Sequence, residues 1–302
     1  MTTDGPPTLG DGIITLRPWT DADADADGDR RRSFVVEVEG EPVGLVEVQD
    51  LGGSTGELSW AVDPEHRGRG YATRAVRLLV AYAFEELGLT RLQARVPRDN
   101  ERAIRLARRS GLRNEGHVRA APRSGERDHV LLARLVDDPD PGDRAGFRAL
   151  LNSFLPRKRV IAQALVRDDA GRVLMCHPTY KDDWDLPGGV VEAHESPRDA
   201  AGREVLEELA LDLAVGGLLL ADWMPPWSGW DDALCLVFDA GRHPASLPSR
   251  AVLQAREIRA VDFLTVAQVH ERAADYTARR VVAALEAAER GGPPFTESGR
   301  PV

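Results

Sequence analysis

The sequence predicts a two-domain protein of the mixed α/β (α+β) class, with one helix-flanked sheet in each domain. Its 302 residues exceed the length at which a single hydrophobic core usually stops growing. Strand-like and helical segments occur in two runs, on either side of a stretch rich in Asp, Pro and Gly at 137–143. We expect a first domain, a linker with a short helix, a second domain and a disordered tail, at 1–137, 138–156, 157–290 and 291–302.

Composition indicates an ordinary globular protein and argues against nucleic acid as a main partner. Apolar residues form 42% and charged residues 29% of the chain, which are ordinary values for a globular protein. The net charge of −10 argues against nucleic acid as a partner, because binding a polyanion normally requires a basic surface. Small phosphorylated substrates stay possible, since a metal ion can neutralise them.

Cysteine usage and hydropathy predict a cytoplasmic location. Cys176 and Cys235 are isolated and lack the spacing of a metal site or a disulfide framework. No apolar run approaches the length of a membrane span, and the N-terminus has no export signal. We therefore expect no membrane partner, and the sequence leaves the oligomeric state open.

The first domain is predicted to alternate strands and helices. The segment 21–29 (DADADADGD) is too acidic to pack and is predicted to be a loop. Two amphipathic helices are expected, one ending near Leu87 and one over 100–110. Strands are expected at 12–17, 34–39, 43–49, 57–62, 92–96 and 129–135.

A glycine-rich turn, Arg67-Gly68-Arg69-Gly70, precedes the first of these helices. A strand, a glycine-rich turn and a helix together present free backbone N–H groups to a phosphate. Basic glycine turns are common, so the turn alone is weak evidence. With the order of elements and a second helix that begins at Asn100, the region 10–137 resembles the GNAT acetyltransferases.

This resemblance implies a mixed sheet and acetyl-CoA-dependent transfer of an acetyl group to an amine. The implied coenzyme A-binding positions are Val62, Arg67, Gly68, Arg69, Gly70, Tyr71, Ala72, Thr73 and Asn100.

Two departures from the family leave the activity of the first domain open. The segment 21–32 is too short for the helical pair that usually shapes the acceptor pocket. Ala103 and Ala107 stand where family members place a residue that protonates the departing thiolate. A thiolate can leave without a strong acid, so the two alanines lower the expected rate and do not exclude transfer. Glu57 is the candidate base, acting through water, although an ordinary exposed strand residue is the more common interpretation of such a position. The alternative is a domain that binds acyl-CoA without transferring the acyl group.

The second domain contains a helix with a carboxylate face. Ser196-Pro197 predicts its start, and Glu204, Glu207 and Glu208 share one side at i, i+3 and i+4. Converging carboxylates repel one another unless a cation lies among them, and such hard oxygen ligands suit Mg²⁺ or Mn²⁺. The acidic face by itself is also compatible with a solvated helix surface.

The fuller pattern from Gly189 through Glu195 to the 203–211 segment resembles the Nudix box of the Nudix hydrolases, with Ala210 in place of a glycine. The resemblance implies an α/β/α sandwich and hydrolysis of a nucleoside diphosphate linked to another moiety. It implies metal ligation by Glu204, Glu207, Glu208 and possibly the Gly188 carbonyl, with Arg203 and Glu195 as catalytic supports.

The sequence leaves the general base and the substrate undecided. The base is Glu207, Glu208 or an acid from the 231–239 region. The tryptophans of the 222–230 segment either stack on the nucleobase of the substrate or pack within the domain. Ala210 stands where the family glycine ends the helix in a left-handed conformation. The chain either bears the cost of about 1 kcal/mol for an alanine in that conformation or extends the helix slightly.

Overall fold

The computed structural model describes residues 6–20, 31–121, 125, 127–227, 229–291 and 295–301. The chain divides into two compact units, Met1–Pro156 and Arg157–Val302, each with its own mixed sheet and flanking helices. The predicted two-domain α/β (α+β) class is therefore confirmed. The acidic segment 21–29, predicted to be a loop, lies outside the described residues. Within the described ranges, no helix is long and apolar enough to cross a membrane.

The first unit is built on an eight-stranded sheet in the order β1-β2-β3-β4-β5-β6-β8-β7. Its strands are β1 (Leu9–Gly10), β2 (Thr15–Pro18), β3 (Arg31–Val38), β4 (Glu41–Gly52), β5 (Thr55–Val62), β6 (Arg91–Pro97), β7 (Arg113–Val118) and β8 (His129–Leu135). The prediction missed β7, because its sequence RNEGHV has no apolar alternation.

Strands β5 and β6 diverge at the centre of this sheet. They are parallel neighbours, but their pairing covers only Thr55–Glu57 and 91–93. Beyond that point, in the described part of the sheet, β5 continues against β4 and β6 against β8. The separated inner edges carry backbone N–H and C=O groups that need partners other than a neighbouring strand.

The helices of the first unit are α1 (Tyr71–Glu85), α2 (Glu101–Arg109) and α3 (Arg144–Phe154). Alternate strand residues such as Val46, Leu58 and Leu92 are buried in one core with Leu79 of α1. This burial follows from the period-two pattern of the strands and the amphipathic pattern of the helix.

The short helix predicted in the linker is α3, and it belongs to the first unit. The N–H of Asn114 donates to Oγ of Ser153 at 3.1 Å. The Arg108 guanidinium lies 5.6 Å from the ring centroid of Phe154, which also packs against the core. The prolines and acids that predict a linker therefore precede a packed helix.

The second unit has a mixed sheet in the order β14-β10-β9-β13-β12-β15-β16, with β11 also paired to β9. Its strands are β9 (Arg159–Asp168), β10 (Val173–Pro178), β11 (Gly188–Val190), β12 (Leu218–Met224), β13 (Ala233–His243), β14 (Ile258–Leu264), β15 (Phe295–Glu297) and β16 (Arg300–Pro301). Its helices are α4 (Pro197–Leu209), α5 (Val266–Arg272) and α6 (Asp275–Arg290).

Strand β9 contributes to a core on each face of this sheet. Ala164 is buried with Val205 and Leu209 of α4. Leu165, on the opposite face, is buried with Val281 of α6. The near-continuous apolar run of β9 is explained by this burial on both sides.

The prediction of a disordered tail at 291–302 was wrong for its described residues. Strand β15 pairs in parallel with β12. Thr296 Oγ1 and the N–H of Gly299 both donate to Oδ1 of Asp222, at 2.7 and 2.8 Å. Asp222 is fully buried, so its carboxylate requires such donors. The polar sequence of this segment gives no indication that it pairs with β12 and binds Asp222.

Candidate active sites

Helix α4 begins where the sequence predicts. Ser196 is the N-cap in an extended conformation, and Pro197 occupies the first helical turn. Asp199 lies in the same turn, where the partial positive charge of the helix favours a carboxylate. The Ser196 side chain makes no capping hydrogen bond, so Pro197 and Asp199 carry the signal for the start.

Arg203 is the centre of a carboxylate cluster beside α4. Its Nε and Nη2 donate to the two oxygens of Glu195 at 2.8 and 3.0 Å. Its Nη1 donates to Oε1 of Glu204 at 3.0 Å and to Oε2 of Glu207 at 2.9 Å. Hydrogen bonds from Arg203 lower the pKa of Glu195, and hydrogen bonds from these acids raise the pKa of Arg203.

The paired glycines allow the carboxylates to approach the backbone. Gly188 has a φ of 142°, and a Cβ there would lie 2.2 Å from the carbonyl oxygen of Ala162. A Cβ on Gly189 would lie 2.5 Å from Oε1 of Glu204. The N–H of Gly188 donates to Oε2 of Glu208 at 3.1 Å. Any side chain at either glycine would therefore displace the backbone or the acids.

Burial sets Glu208 apart from the other acids of α4. It is 9% exposed, and its burial raises its pKa to about 8, with the charges of Glu204, Glu257 and Asp185 adding to the effect. Burial also raises the pKa of Glu204, and Glu207 and Glu257 contribute. Glu257 thus faces this site, although it lies far from α4 in sequence and no motif indicates it.

The predicted metal ligands Glu204, Glu207 and Glu208 accept from different donors in this structure. Glu204 and Glu207 turn to Arg203, and Glu208 turns to the N–H of Gly188. Across the described ranges, no three His, Cys, Asp or Glu side chains form a group that could hold an ion. The donor types still fit Mg²⁺ or Mn²⁺, and ligation requires rotation of the glutamates away from Arg203.

A second polar network lies next to this cluster. Lys181 Nζ donates to Oδ2 of Asp185 at 2.6 Å, and Gln163 Nε2 donates to Oδ1 of Asp185 at 2.9 Å. Arg280 Nη1 donates to Gln163 at 3.2 Å, and Arg280 Nε donates to Asp222 at 2.8 Å. The network thus connects the loop before the paired glycines to Asp222, the buried carboxylate that the C-terminal segment contacts.

The tryptophan segment surrounds an arginine. The Arg159 guanidinium lies 5.4 Å from the ring centroid of Trp227 and 5.1 Å from that of Trp230. Trp227 also contacts Tyr276, with centroids 6.2 Å apart, whereas Trp230 is 58% exposed. Trp227 therefore packs within the domain, and Trp230 presents a free aromatic surface.

Two of the three acids of the 231–239 region are engaged by cations. Asp232 pairs with Lys158 and accepts from Trp223 Nε1. Asp239 pairs with Arg167. These pairs make both aspartates less available as a base than Glu208, whose carboxylate accepts from a backbone N–H.

In the first unit, the glycine-rich turn forms the N-terminus of α1. Gly70 is the N-cap with a φ of 86°, a left-handed conformation that favours glycine. The N–H groups of Tyr71, Ala72 and Thr73 belong to the first helical turn, where no intrahelical acceptor exists. Arg67 Nε donates to the Val62 carbonyl at 2.9 Å and ties the turn to the end of β5.

The remaining predicted coenzyme positions flank this turn. Gly68 has a φ of 80°, and Arg69 is exposed. Asn100 caps α2, since its Oδ1 accepts from the N–H of Ala103 at 3.2 Å, and its amide nitrogen is not used in that contact. The divergent ends of β5 and β6, the turn and Asn100 fit a ligand that carries phosphates and an amide chain.

Glu57, the candidate base, is held in an ion pair. Arg95 Nε and Nη2 donate to its two oxygens at 2.9 and 3.2 Å, and Gln93 Nε2 lies 3.4 Å away. The Arg95 guanidinium thus contacts both carboxylate oxygens of Glu57. The sequence does not predict this ion pair, because Glu57 and Arg95 are far apart in the chain and only the folding of β5 beside β6 brings them together.

Comparisons with known proteins find a family match in each half of the chain. The family described as "Acetyltransferase (GNAT) family" matches residues 9–112, and the "NUDIX domain" family matches residues 157–285. A MutT-like protein from Streptomyces ambofaciens is 34% identical over 129 residues, which are 42% of this chain and 77% of that protein. The chain is a fusion of a GNAT domain and a Nudix domain.

The GNAT domain also resembles individual acetyltransferases. Spermidine N(1)-acetyltransferase of Escherichia coli K12 is 39% identical over 89 residues, which are 29% of this chain and 48% of that enzyme. The chain thus spans about half the length of this relative. A GNAT-family acetyltransferase structure from Bacillus anthracis is 29% identical, with a TM-score of 0.33, covering 34% of this chain and 65% of its own.

Proposed function

We propose that the Nudix domain is a Mg²⁺- or Mn²⁺-dependent pyrophosphohydrolase that cleaves a nucleoside diphosphate linked to another moiety. The observation that carries the proposal is the approach of Glu204 and Glu208 to the backbone of Gly189 and Gly188. This approach places two hard oxygen donors against the backbone of the paired glycines. The buried free thiols, Cys176 and Cys235, suit a reducing cytoplasm, which we propose as the location.

A bound divalent ion supplies Lewis acidity and a coordinated water of lowered pKa. Glu204, Glu207, Glu208 and the Gly188 carbonyl are the proposed ligands. Arg203 and Glu195 orient the acids through their hydrogen bonds.

The attacking water must give its proton to a carboxylate oxygen. Glu207, Glu208 or an acid of the 231–239 region was expected to take it. Asp232, Asp239 and Glu207 are each paired with a cation, which favours Glu208 over these three. Glu257 joins it as a further candidate because its charge acts on Glu204 and Glu208.

The test is hydrolysis with Mg²⁺ across ADP-ribose, NDP-sugars, NADH, dinucleoside polyphosphates and oxidised dNTPs. Glu207→Gln should abolish turnover of the best substrate, because it removes a charged ligand. Glu286→Gln is the matched control, since Glu286 is also an exposed helix glutamate and pairs with Arg290 at 2.8 Å. Unaltered turnover in Glu207→Gln would refute the assignment.

We further propose that the GNAT domain binds acetyl-CoA at the Gly68–Gly70 turn and transfers its acetyl group to an amine. The N–H groups of Tyr71, Ala72 and Thr73 hold the pyrophosphate in this proposal, and Glu57 is the candidate base. The similarity to spermidine N(1)-acetyltransferase makes a polyamine the first acceptor to test.

A second reading is that the GNAT domain binds acyl-CoA as a sensor or scaffold without transfer. The ion pair of Glu57 with Arg95 and the alanines at 103 and 107 favour it. Calorimetry with acetyl-CoA followed by thiol-release assays with polyamines and other amines separates the two. Binding with thiol release supports transfer, binding without release supports the sensor, and lack of binding contradicts both.

A further inference from the structure

Lys181 is a cation next to the proposed hydrolytic site that has no assigned role. Its side chain is 28% exposed, and it pairs with Asp185 at 2.6 Å. Asp185 lies in the loop that leads to Gly188, and its Oδ1 accepts from Gln163, which is paired with Gly188 across β9 and β11. The N–H of Gly188 donates to Glu208 at 3.1 Å. Lys181 therefore lies on the loop side of the acidic face of α4.

An anionic diphosphate that approaches this face meets several negative charges. Arg203 is close to them, but its hydrogen bonds to Glu195, Glu204, Glu207 and the Val190 carbonyl use all of its N–H donors. In this arrangement it has none left for a substrate oxygen, and only release of Glu204 or Glu207 would free its Nη1 donors. The ammonium of Lys181 has three donors, and within the described part of the chain it uses one of them, on Asp185.

Asp185 stays in place when Lys181 turns to another anion. Its Oδ1 accepts from Gln163 Nε2 and from the N–H of Leu186, both at 2.9 Å. Gln163 is fixed by Arg280, which is 3% exposed. Burial alone would raise the pKa of Asp185, and Lys181 together with Arg280 lowers it. The carboxylate thus has fixed donors that do not depend on Lys181.

The ammonium of Lys181 is charged at neutral pH. Partial burial alone would lower its pKa, and the carboxylate of Asp185 raises it by more. A lysine is also mechanically suited to a change of partner, because its ammonium is a point charge on a flexible stem.

We propose that Lys181 binds the substrate diphosphate, donating to a non-bridging phosphate oxygen beside the acidic face of α4. Asp185 is the residue that holds the ammonium at this place before substrate arrives. This inference rests on the proposed pyrophosphohydrolase function and adds the cation that the Nudix-box residues themselves do not supply.

The test uses the full chain, whose lysines are Lys158 and Lys181. Reductive methylation followed by mass spectrometry measures the labelling of each, with and without Mg²⁺ and α,β-methylene-ADP, a hydrolysis-resistant nucleoside diphosphate. Labelling of Lys181 should fall as the nucleotide saturates, while Lys158 serves as the internal reference. Equal labelling of Lys181 with and without bound nucleotide would overturn the proposal.

Variants give an independent measurement. Lys181→Met should weaken binding of the same nucleotide about ten- to a hundredfold, because a charge-assisted hydrogen bond is lost. Lys181→Arg should restore most of the affinity, and Lys158→Met should leave it unchanged. A Lys181→Met protein that melts like wild type and binds equally well would refute the role of Lys181.

The assay separates this inference from the function on which it rests. Wild-type hydrolysis together with full activity in Lys181→Met overturns only the Lys181 assignment. A wild-type protein that neither binds the nucleotide nor hydrolyses any of the screened diphosphates overturns both.

Discussion

Ala210 ends α4 in a backbone conformation that glycine adopts more readily. Its φ and ψ are 53° and 32°, and its N–H donates to the Leu206 carbonyl at 2.9 Å. The left-handed conformation costs an L-residue about 1–2 kcal/mol. Glycine avoids that cost. Its greater conformational freedom in the unfolded chain offsets about 0.5–1 kcal/mol of this gain. Ala210→Gly should therefore stabilise the Nudix domain by about 0.5–1 kcal/mol.

The assay is urea unfolding followed by tryptophan fluorescence, with thermal melting as a second measurement. At about 2–4 °C per kcal/mol for a domain of this size, the melting temperature should rise by about 1–4 °C. Ala210→Val should act in the opposite direction, because a β-branched side chain fits the left-handed region poorly. An unchanged or lower stability of Ala210→Gly would refute the argument from backbone strain.

Gly202 provides the matched control within the same helix. A Cβ there would lie 3.5 Å from Cγ2 of Val215, which is ordinary van der Waals contact. Gly202→Ala should therefore also stabilise α4, by about 0.5–1 kcal/mol, through helix propensity alone. If it instead destabilises the domain, the space beside the helix is smaller than the structure shows.

Other perturbations test the buried charges and the candidate base. Asp222→Ala leaves Arg280 buried without its partner and should lower the free energy of unfolding by about 3–5 kcal/mol in urea titrations; a loss below about 1 kcal/mol would contradict this. The pKa of Glu208 is about 8 in the fold against an ordinary 4.5, so its stabilisation is present below 4.5 and is lost as pH rises through 8. The melting temperature of EDTA-treated protein should fall over that window, and Mg²⁺ should raise it more at pH 8.5 than at pH 6; an equal shift at both would contradict proton release by Glu208. Glu57→Gln should slow acetyl transfer about a hundredfold or more with acetyl-CoA binding unchanged if Glu57 is the base, and an unchanged rate leaves it as the partner of Arg95.

Local signals were sufficient to predict most elements of the fold. The start of α4 at Ser196-Pro197 and strand β4 follow from capping and from alternation, which depend on neighbours in sequence. The strands of the tail could not be predicted in this way. Their partner is the buried carboxylate of Asp222, and a donor such as Thr296 looks like any polar tail residue until the fold brings the two together.

The same division holds for the candidate sites. The spacing of Arg203 and Glu207 predicts their contact, because residues at i and i+4 meet on a helix. The involvement of Glu257 with Glu208 and of Arg95 with Glu57 depends on pairings between distant segments. Motif spacing therefore identifies functional residues that lie on one helix or strand. It does not identify charged residues that the fold brings to them from distant segments.

The charges around α4 are neutralised by two different devices. Arg203 balances Glu195, Glu204 and Glu207 through hydrogen bonds that are made within the box itself. Glu208 has no such partner, and its raised pKa means that it keeps a proton to about pH 8. A divalent ion among these acids must therefore compete with a guanidinium for Glu204 and Glu207 and with a proton for Glu208. The order of these exchanges determines how metal affinity depends on pH, because only the second releases a proton.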